Sequence, residues 1–338
     1  MSSEVSAASR LSVAPMMAWT DRHCRFFHRL ISKKALLYTE MVTAPALVLG
    51  GALRLLDFKP EEQPVALQLG GSDPEQLGKA TALGAAHGYH EINLNLGCPS
   101  DRVQSGSFGA VLMTEPDLVR ACLDQMQQAC DAEITVKCRI GVDDQIPEDT
   151  LPKFLAMIEG TGVQRVTIHA RKAWLHGLSP KENRDVPPLD YPLVQDMKSA
   201  FPGLHMSING GVNSLTEAKK HLSAGMDGVM IGRAAYQNPY GILARVDCDV
   251  FDGYAASTAE VIAAKMIPYI ETHLKNGGRL HQITRHMFGL FAGQTGARHW
   301  RRRLSELGGC HSSDIADYRV LLDEINVILH QQQELETI

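Results

Sequence analysis

The chain has 338 residues, of which 44% are hydrophobic and 21% are charged, and its formal net charge is −5 at pH 7. This composition is typical of a globular enzyme with one large and one smaller domain, and it excludes disordered and fibrous chains. No apolar run reaches the length of a membrane span, and residues 1–9 lack the basic and apolar regions of a signal peptide. We expect both ends, 1–9 and 331–338, to be frayed.

The seven cysteines indicate which chemistry is absent. Their number is odd and no Cys-x-x-Cys occurs, which argues against a disulfide scaffold, a structural zinc site and an iron–sulfur cluster. The 14 histidines form no His-Glu-x-x-His pattern. We therefore expect a protein of the reducing cytoplasm that binds no metal.

Short apolar runs alternate with amphipathic stretches along the first two thirds of the chain. The runs cover residues 11–16, 36–38, 65–69, 91–95, 134–139, 165–169, 205–209 and 228–231, with helical patterns at 74–87, 115–130 and 214–224. Eight strand–helix units in about 230 residues predict a (β/α)8 TIM barrel. A doubly wound open sheet is the competing architecture, but it needs fewer strands and usually shows Gly-x-Gly-x-x-Gly after the first strand.

The fourth run ends in the motif on which the prediction of function depends. Asn93 and Asn95 share one side of a strand, and two amides there suit the polar end of a ligand cavity better than an apolar core. Gly97 and Pro99 end the strand and leave Cys98 at the tip of a turn. A buried structural cysteine is the alternative interpretation, and the local residues alone do not decide between the two.

Polar or glycine residues stand at the carboxyl ends of most of the runs, where barrel active sites collect. At the last two ends, Gly210 with Gly211 and then Gly232 allow backbone N–H groups to approach an anion, and Arg233 adds a bidentate charge. Barrels often bind phosphate with these two loops, so the sequence predicts a phosphate-bearing cofactor. The other strand ends carry Pro15, Met16, Met17, Gln68, Asn95, Cys98, Lys137, His169 and Asn209.

Beyond residue 242 the pattern changes to helices alone. We predict a linker at 247–253 and then a small helical domain with helices at 258–274, 280–291, 299–307 and 315–331. Residues 260–311 carry a charge of +5, from eight bases and three acids, so the rest of the chain carries −10. Four arginines at 298–303 have little acid to pair them, and Arg298, Arg301 and Arg302 lie largely away from the apolar stripe of this helix. The stripe consists of Trp300, Leu304 and Leu307. This pattern favours phosphate contact over a merely solvated basic face.

Together these features resemble the tRNA-dihydrouridine synthases over nearly the whole chain. The segment 93–99 is similar to the catalytic signature of that family. We accordingly expect an FMN-binding catalytic TIM barrel at 10–245 and a helical tRNA-binding domain at 255–332. The segments that resemble the synthase A subfamily are Lys181-Glu182-Asn183-Arg184, Pro187-Pro188-Leu189 and Gly296-Ala297-Arg298-His299-Trp300-Arg301.

The resemblance implies an FMN-dependent enzyme that uses NADPH to reduce uridines 20 and 20a of the tRNA D-loop. By motif match, Cys98 is implied to donate the proton and Asn95 to contact the target base. The residues implied to hold tRNA are Lys181, Arg184, Arg298 and Arg301. The residues implied to bind FMN are Pro15, Met16, Met17, Gln68, Lys137, His169, Asn209, Gly210, Gly211, Gly232 and Arg233.

This chemistry suits the residues that the sequence provides. Reduction of the uracil 5,6 double bond needs a hydride on one carbon, which reduced flavin supplies, and a proton on the other. A cysteine thiol has an ordinary pKa near 8.5, so it is protonated at pH 7 and can donate that proton. The target base must leave the tRNA stack, and residues 105–109 are the predicted lid of the site.

Two other hypotheses stay open at the level of sequence. The first is another FMN barrel that reduces a free pyrimidine or an enone, which would have no need of a basic helical domain. The second is an RNA-binding protein or chaperone whose barrel has lost its cofactor. As partners we expect tRNA and NADPH, with no membrane and no metal, and we expect a monomer in the cytoplasm.

Overall fold

The computed structural model describes residue 5 and residues 7–100, 108–310 and 312–336 of the chain. The chain forms two compact units, a barrel unit of residues 1–18, 36–212 and 216–232 and a helical unit of residues 19–35, 213–215 and 233–338. These units differ from the predicted ranges 10–245 and 255–332, because residues 19–35 and 233–245 belong with the C-terminal helices. The division of functions between the two predicted ranges stays a prediction.

Eight parallel strands form the closed barrel that the sequence predicts. Each strand pairs with the next, and the last pairs with the first. The prediction of a TIM barrel is therefore confirmed. The strands are β1 (Leu11–Val13), β2 (Leu36–Thr43), β3 (Val65–Gly70), β4 (Glu91–Leu96), β5 (Glu133–Arg139), β6 (Arg165–His169), β7 (His205–Asn209) and β8 (Gly228–Ile231).

One face of β4 lines the interior of this barrel. The Glu91 carboxylate accepts hydrogen bonds from Tyr38 of β2 and from Arg165 of β6. Side chains from strands that stand two places away on either side can meet only inside the barrel. Because side chains alternate along a strand, Asn93 and Asn95 share the inward face with Glu91.

Helices begin where the sequence places proline after an acidic residue. Pro74 and Pro116 are each the first residue of a helix, as predicted. The Asp73 side chain caps the first of these helices by accepting a hydrogen bond from Gln76 N at 3.0 Å. Every helix in the described ranges is too short or too polar to cross a lipid bilayer. The helices are α1 (Arg22–Ile31), α2 (Ala44–Val48), α3 (Pro74–Ala86), α4 (Pro116–Gln128), α5 (Pro147–Gly160), α6 (Tyr191–Ala200), α7 (Leu215–Ser223), α8 (Arg233–Gln237), α9 (Pro239–Leu243), α10 (Val246–Val250), α11 (Ala259–Lys265), α12 (Ile267–Lys275), α13 (Leu280–Thr284), α14 (Ala297–Gly309) and α15 (Ile315–Glu336).

The core of the helical unit is built around Trp300 of α14. Trp300 is fully buried, its Nε1 donates to Met287 O at 2.8 Å, and its ring meets that of Phe291 edge to face at 5.0 Å. Leu304 and Leu307 are buried on the same helix. The predicted apolar stripe of this helix is therefore confirmed, and its opposite face is left for the arginines.

Both chain ends are more ordered than predicted. Val5 and Ala8 are only 2% and 5% exposed and belong to an apolar cluster with Leu36 and Ala66 of the barrel strands. The prediction of a frayed segment 1–9 is therefore wrong for these residues, because their apolar side chains are buried. At the other end, α15 continues to Glu336, so the frayed segment 331–338 is wrong as far as that residue.

Three predicted elements of the helical unit also differ in extent. The linker 247–253 is wrong, because α10 occupies most of it and the Asp247 carboxylate accepts from Lys33 N at 2.6 Å. The predicted helix 258–274 is divided into α11 and α12, since Pro268 cannot donate a helical hydrogen bond. The predicted helix 280–291 ends at Thr284, after which hydrogen bonds such as Met287 N to Thr284 O tighten the chain into turns.

Candidate active site

The carboxyl ends of the eight parallel strands lie at one end of the barrel, which we call the mouth. Five neighbouring strands each place a predicted side chain within their last three residues. Four of these side chains are at most 8% exposed, and the lysine is half-buried. The structure thus brings the five together. Their predicted roles, contact with the target base for Asn95 and FMN binding for the other four, stay predictions. They are Gln68, Asn95, Lys137, His169 and Asn209.

The turn after β4 carries Cys98 and is held by hydrogen bonds from two strands. Asn95 Oδ1 accepts from Gly97 N at 3.1 Å and from Cys98 N at 3.0 Å. Arg139 Nε, at the end of β5, donates to Gly97 O at 3.1 Å, and Ala110 N donates to Cys98 O at 2.9 Å. The backbone on both sides of the thiol is therefore fixed.

Cys98 differs from the structural cysteine nearest to it in the sheet. Cys138 of β5 is fully buried, and burial raises the pKa of its thiol to about 12. Cys98 is half-buried, and its Sγ lies 3.5 Å from Ser100 Oγ. The alternative of a fully buried cysteine is therefore wrong for Cys98, which is half-buried in the turn after β4.

The predicted lid at residues 105–109 lies only partly in the described chain. Residues 105–107 fall outside the described residues. Phe108 packs near Gly70 of β3, and Gly109 begins a 3-10 helix that runs to Thr114. The closing motion of this segment stays a prediction.

The Asn95 carboxamide does more than the sequence suggests. Besides accepting from the turn, it donates through Nδ2 to Gln68 Oε1 at 2.8 Å. Its second N–H has no partner within the described part of the chain, so one donor stays available. The predicted contact of Asn95 with the target base stays a prediction, and that remaining N–H is the group that would make it.

Two basic side chains at the mouth have lowered pKa values. Burial, and then the positive charge of Arg139, lower the pKa of Lys137 to about 8. Burial, and then the charges of Arg139 and Lys137, lower the pKa of His169 well below 6.5. At pH 7 Lys137 therefore still carries its proton, whereas His169 is a neutral imidazole with one donor and one acceptor.

Gly210 and Gly211 are required by the backbone itself. Their φ angles are +107° and +70°, in the region that side chains rarely adopt. A Cβ at Gly210 would lie 2.5 Å from His169 Cδ2, and one at Gly211 would lie 2.5 Å from Leu189 Cδ1. The fold therefore explains both glycines without a ligand, although they keep the mouth free of side chains.

Gly232 has a different explanation. A Cβ at this position would lie 3.7 Å from Ala14 Cβ and 3.9 Å from Met16 Sδ, which are ordinary contacts, so these neighbours do not require glycine. Glycine here leaves the backbone after β8 open to a ligand.

Arg233 follows directly in the chain as the first residue of α8 and is part of the helical unit. The predicted residues after β1 are the half-buried Pro15 and Met16 and the 62% exposed Met17.

The predicted tRNA contacts of the barrel unit lie on a well-fixed loop. Lys181 and Arg184 are both exposed and flank the fully buried Asn183. Asn183 accepts from Trp174 N at 2.7 Å and donates to Trp174 O at 2.8 Å. Arg139 Nη1 also donates to Asn183 O at 2.9 Å. Two cations are thus presented on a rigid loop, and their contact with tRNA stays a prediction.

The arginines of α14 divide into two pairs. Arg298 and Arg301 are exposed and have no ion pair within the described residues. Arg303 Nη1 lies 2.8 Å from Glu306 Oε2, and Arg302 Nε lies 3.8 Å from Glu306 Oε1. The prediction that little acid pairs these arginines is therefore wrong for Arg302 and Arg303 but holds for the two that were predicted to hold tRNA.

Sequence analysis missed two side chains that shape the site. Thr135 joins Asn93 and Glu91 by hydrogen bonds inside the barrel, and Arg139 holds the carbonyl of Gly97. Both were detectable in principle, because Thr135 and Arg139 stand two residues before and two residues after the predicted Lys137 on β5. Side chains at this spacing share one face of a strand. The period-two argument that grouped the β4 asparagines applies equally to β5.

The fold and the site define a barrel enzyme whose reactive groups collect at the strand ends. Solved structures share this fold, and two of them illustrate the likeness. A 2-naphthoyl-CoA reductase complex superposes with a TM-score of 0.54 at 12% identity, covering 71% of this chain and 50% of that one. An old yellow enzyme homologue from Zymomonas mobilis gives a TM-score of 0.52 at 11% identity, covering 73% of this chain and 90% of that one. At such low identity these likenesses establish the fold alone.

Sequence similarity defines the family. The family model for dihydrouridine synthase (Dus) matches residues 12–324. The tRNA-dihydrouridine(20/20a) synthase of Vibrio parahaemolyticus is 56% identical over 299 residues, 88% of this chain and 91% of that protein. The protein of the same name from Escherichia coli K12 is 55% identical over 315 residues, 92% of this chain and 90% of that protein. The chain belongs to the dihydrouridine synthase family, and the resemblance noted from its motifs is confirmed.

Proposed function

We propose that this protein is an FMN-dependent tRNA-dihydrouridine(20/20a) synthase, which reduces D-loop uridines 20 and 20a with NADPH as the reductant. The observation that carries the proposal is the half-buried Cys98 on its hydrogen-bonded turn at the mouth of the barrel. Relatives that bear this name are 53% to 56% identical to the chain over most of its length, which supports the same assignment.

The turn places Cys98 in a position that suits a proton donor. Bound FMN, once reduced, supplies the hydride for one carbon of the uracil 5,6 double bond. The other carbon needs a proton from a positioned acid, and a cysteine thiol is protonated at pH 7. Because Asn95 and Arg139 hold the backbone around Cys98, the thiol is carried by a Cα atom in a fixed position. This fixed position is what a general acid requires.

The mouth suits a flavin that carries a phosphate. Gly232 leaves its backbone open, and the charged Lys137 ammonium can pair with an anionic part of the ligand. The neutral His169 imidazole and the Gln68 carboxamide offer hydrogen bonds without adding charge. The residues that would hold FMN are Pro15, Met16, Met17, Gln68, Lys137, His169, Asn209, Gly210, Gly211, Gly232 and Arg233.

Both units have exposed cations that suit tRNA. Arg298 and Arg301 stand three residues apart on α14, and Lys181 and Arg184 stand on the Asn183 loop. Phosphate contacts of this kind hold a nucleic acid without reading its sequence. We assign FMN chemistry to residues 10–245 and tRNA binding to residues 255–332, in a monomer of the cytoplasm.

The test uses the purified protein and unmodified tRNA transcripts. We expect a yellow protein with flavin absorbance that bleaches with NADPH and recovers on addition of tRNA. Mass spectrometric mapping should then find dihydrouridine at positions 20 and 20a. A transcript with cytidine at both positions is the matched control and should not restore the absorbance.

Each alternative function gives a different result in the same experiment. Recovery with free uridine but not with tRNA would establish a reductase of small pyrimidines. A colourless protein that binds tRNA and does not take up added FMN would establish an RNA-binding protein without flavin chemistry. Either result would contradict the proposal.

A further inference from the structure

A continuous line of hydrogen bonds runs through the barrel interior to the turn at the mouth. Thr135 Oγ1 donates to Glu91 Oε1 at 2.7 Å and accepts from Asn93 Nδ2 at 2.8 Å. Gln68 Nε2 donates to Asn93 Oδ1, and Asn95 Nδ2 donates to Gln68 Oε1, each at 2.8 Å. All five side chains are at most 8% exposed. In order, the members of this interior chain are Glu91, Thr135, Asn93, Gln68 and Asn95.

In every hydrogen bond of the interior chain, the donor lies on the side of the mouth and the acceptor on the side of Glu91. A carboxylate only accepts, a hydroxyl has one proton to donate, and a carboxamide donates from nitrogen and accepts at oxygen. Thr135 gives its proton to Glu91, so it can only accept from Asn93, whose amide oxygen is thereby turned toward Gln68. The same constraint passes through Gln68 to Asn95, whose oxygen is left facing the mouth.

Glu91 anchors the lower end of the interior chain because each side chain that hydrogen-bonds to its carboxylate in the described residues is a donor. Glu91 Oε2 accepts from Arg165 Nη2 at 2.7 Å, and Oε1 also accepts from the Tyr38 hydroxyl. Burial, and then the charge of Glu91, raise the pKa of Tyr38 well above 10, so the phenol keeps its proton. Burial lowers the pKa of Arg165, but the combined effects of Glu91, Tyr38 and Glu133 outweigh burial and raise it above the ordinary value of an arginine.

The upper end of the interior chain meets two backbone donors. Gly97 N and Cys98 N both point at Asn95 Oδ1. A reversed Asn95 carboxamide would bring its own N–H groups against these two donors and leave all of them without an acceptor. Unmade hydrogen bonds of this kind are costly in a buried site, so the direction of the Asn95 amide decides whether the turn is held.

We propose that Glu91 and Thr135 are positioning residues for the reaction at Cys98, although neither is part of its turn. They act through the interior chain, which sets the direction of the Asn95 amide. Glu91 stands four residues before Asn95 on β4, about 13 Å away along the strand. The inference deepens the proposed function and rests on it, since the turn that is positioned carries the proposed proton donor.

The test removes one hydroxyl from the interior chain. Thr135→Val keeps the size of the side chain but can neither donate to Glu91 nor accept from Asn93. Thr135→Ser restores the hydroxyl and lacks only the methyl group. Thr81→Val is the matched control, because the Thr81 hydroxyl on α3 is buried without a hydrogen-bond partner in the described chain. Asn93→Asp is a second break, since it still accepts from Gln68 but no longer donates to Thr135.

Two measurements are made on each variant. The first is hydrogen exchange in the peptide that contains the Gly97 and Cys98 amides, which needs no substrate. We expect Thr135→Val and Asn93→Asp to speed this exchange about tenfold, the effect of removing one buried hydrogen bond. The second is flavin oxidation at saturating tRNA, which should slow about tenfold in the same variants while the KM for tRNA stays unchanged. Thr135→Ser and Thr81→Val should match the native protein in both.

Three outcomes would overturn the inference. Unchanged exchange in both Thr135→Val and Asn93→Asp would show that the interior chain does not hold the turn. Equal effects of Thr135→Ser and Thr135→Val would assign the result to the methyl group. Faster exchange in Thr81→Val would indicate general loosening of the unit. A native protein that tRNA does not oxidise would instead contradict the proposed function, and the exchange results would still decide the inference.

Discussion

The buried ion pair inside the barrel and an exposed ion pair on α14 use charge in opposite ways. Inside the barrel, the ion pair between Arg165 and Glu91 is 3% and 0% exposed and is surrounded by further hydrogen bonds. On α14, the pair between Arg302 and Glu306 is 66% and 51% exposed. A buried charge that loses its partner greatly lowers the free energy of unfolding, whereas an exposed ion pair contributes little to it. The charge of Glu91 therefore holds geometry, while exposed charge on α14 is available to a partner.

The largest effect should follow from breaking the buried pair. Glu91→Ala leaves the Arg165 guanidinium with Glu133 as its remaining carboxylate partner and opens a gap at Tyr38. We expect the free energy of unfolding to fall by about 3–5 kcal/mol. Urea unfolding followed by circular dichroism measures this change.

Glu306→Ala is the matched control for the exposed pair. It removes a carboxylate that meets Arg302 and Arg303 at the surface of α14. The expected loss is below about 1 kcal/mol. Equal losses in Glu306→Ala and Glu91→Ala would mean that burial does not distinguish the two ion pairs as described.

The next effect concerns the two exposed arginines of α14 that were predicted to hold tRNA. Arg298→Ala/Arg301→Ala should weaken tRNA binding and reduce the magnitude of the log–log salt slope by about two, because each arginine would neutralise one phosphate. Affinity across a series of salt concentrations measures the slope. Flavin content and reduction by NADPH should stay unchanged.

Arg319→Ala provides a control with the same chemical change. Arg319 is 54% exposed but lies 2.8 Å from Glu271, so its charge is already paired. Its removal should leave the salt slope unchanged. If the double variant keeps the native slope, Arg298 and Arg301 are only solvated and the proposed tRNA contact is wrong.

The smallest effect concerns the pH dependence of stability at Lys137. Burial lowers the pKa of this lysine from 10.5 to about 8, so between these values the unfolded chain binds more protons than the folded one. The contribution of Lys137 to the free energy of unfolding is therefore lowest below pH 8 and rises as the pH increases. Flavin-free native protein should gain on the order of 1 kcal/mol over Lys137→Met between pH 7.5 and 9.5. An equal pH profile in both proteins would contradict the lowered pKa.

Much of the barrel was predictable because each strand is a local apolar pattern. The runs at 165–169, 205–209 and 228–231 match β6, β7 and β8 to the residue. The paired position of Asn93 and Asn95 followed from the alternation of side chains along one strand. The placement of Cys98 in a turn followed from its neighbours Gly97 and Pro99.

What was not predictable depends on interactions between distant segments. Thr135 meets Asn93 only because β5 pairs with β4 in one particular register, which no local pattern contains. Arg303 is neutralised in part by Glu324, at 3.0 Å, because α15 packs beside α14. The burial of Val5 likewise depends on an apolar cluster whose other members follow later in the chain.

The most direct test of the account is to separate the two half-reactions in Cys98→Ala. If Cys98 delivers the proton, this variant should bind FMN and be reduced by NADPH at the native rate. Its oxidation by saturating tRNA should slow by about 10² to 10⁴, the usual contribution of a general acid. Oxidation at the native rate would remove Cys98 from the reaction and contradict the central claim.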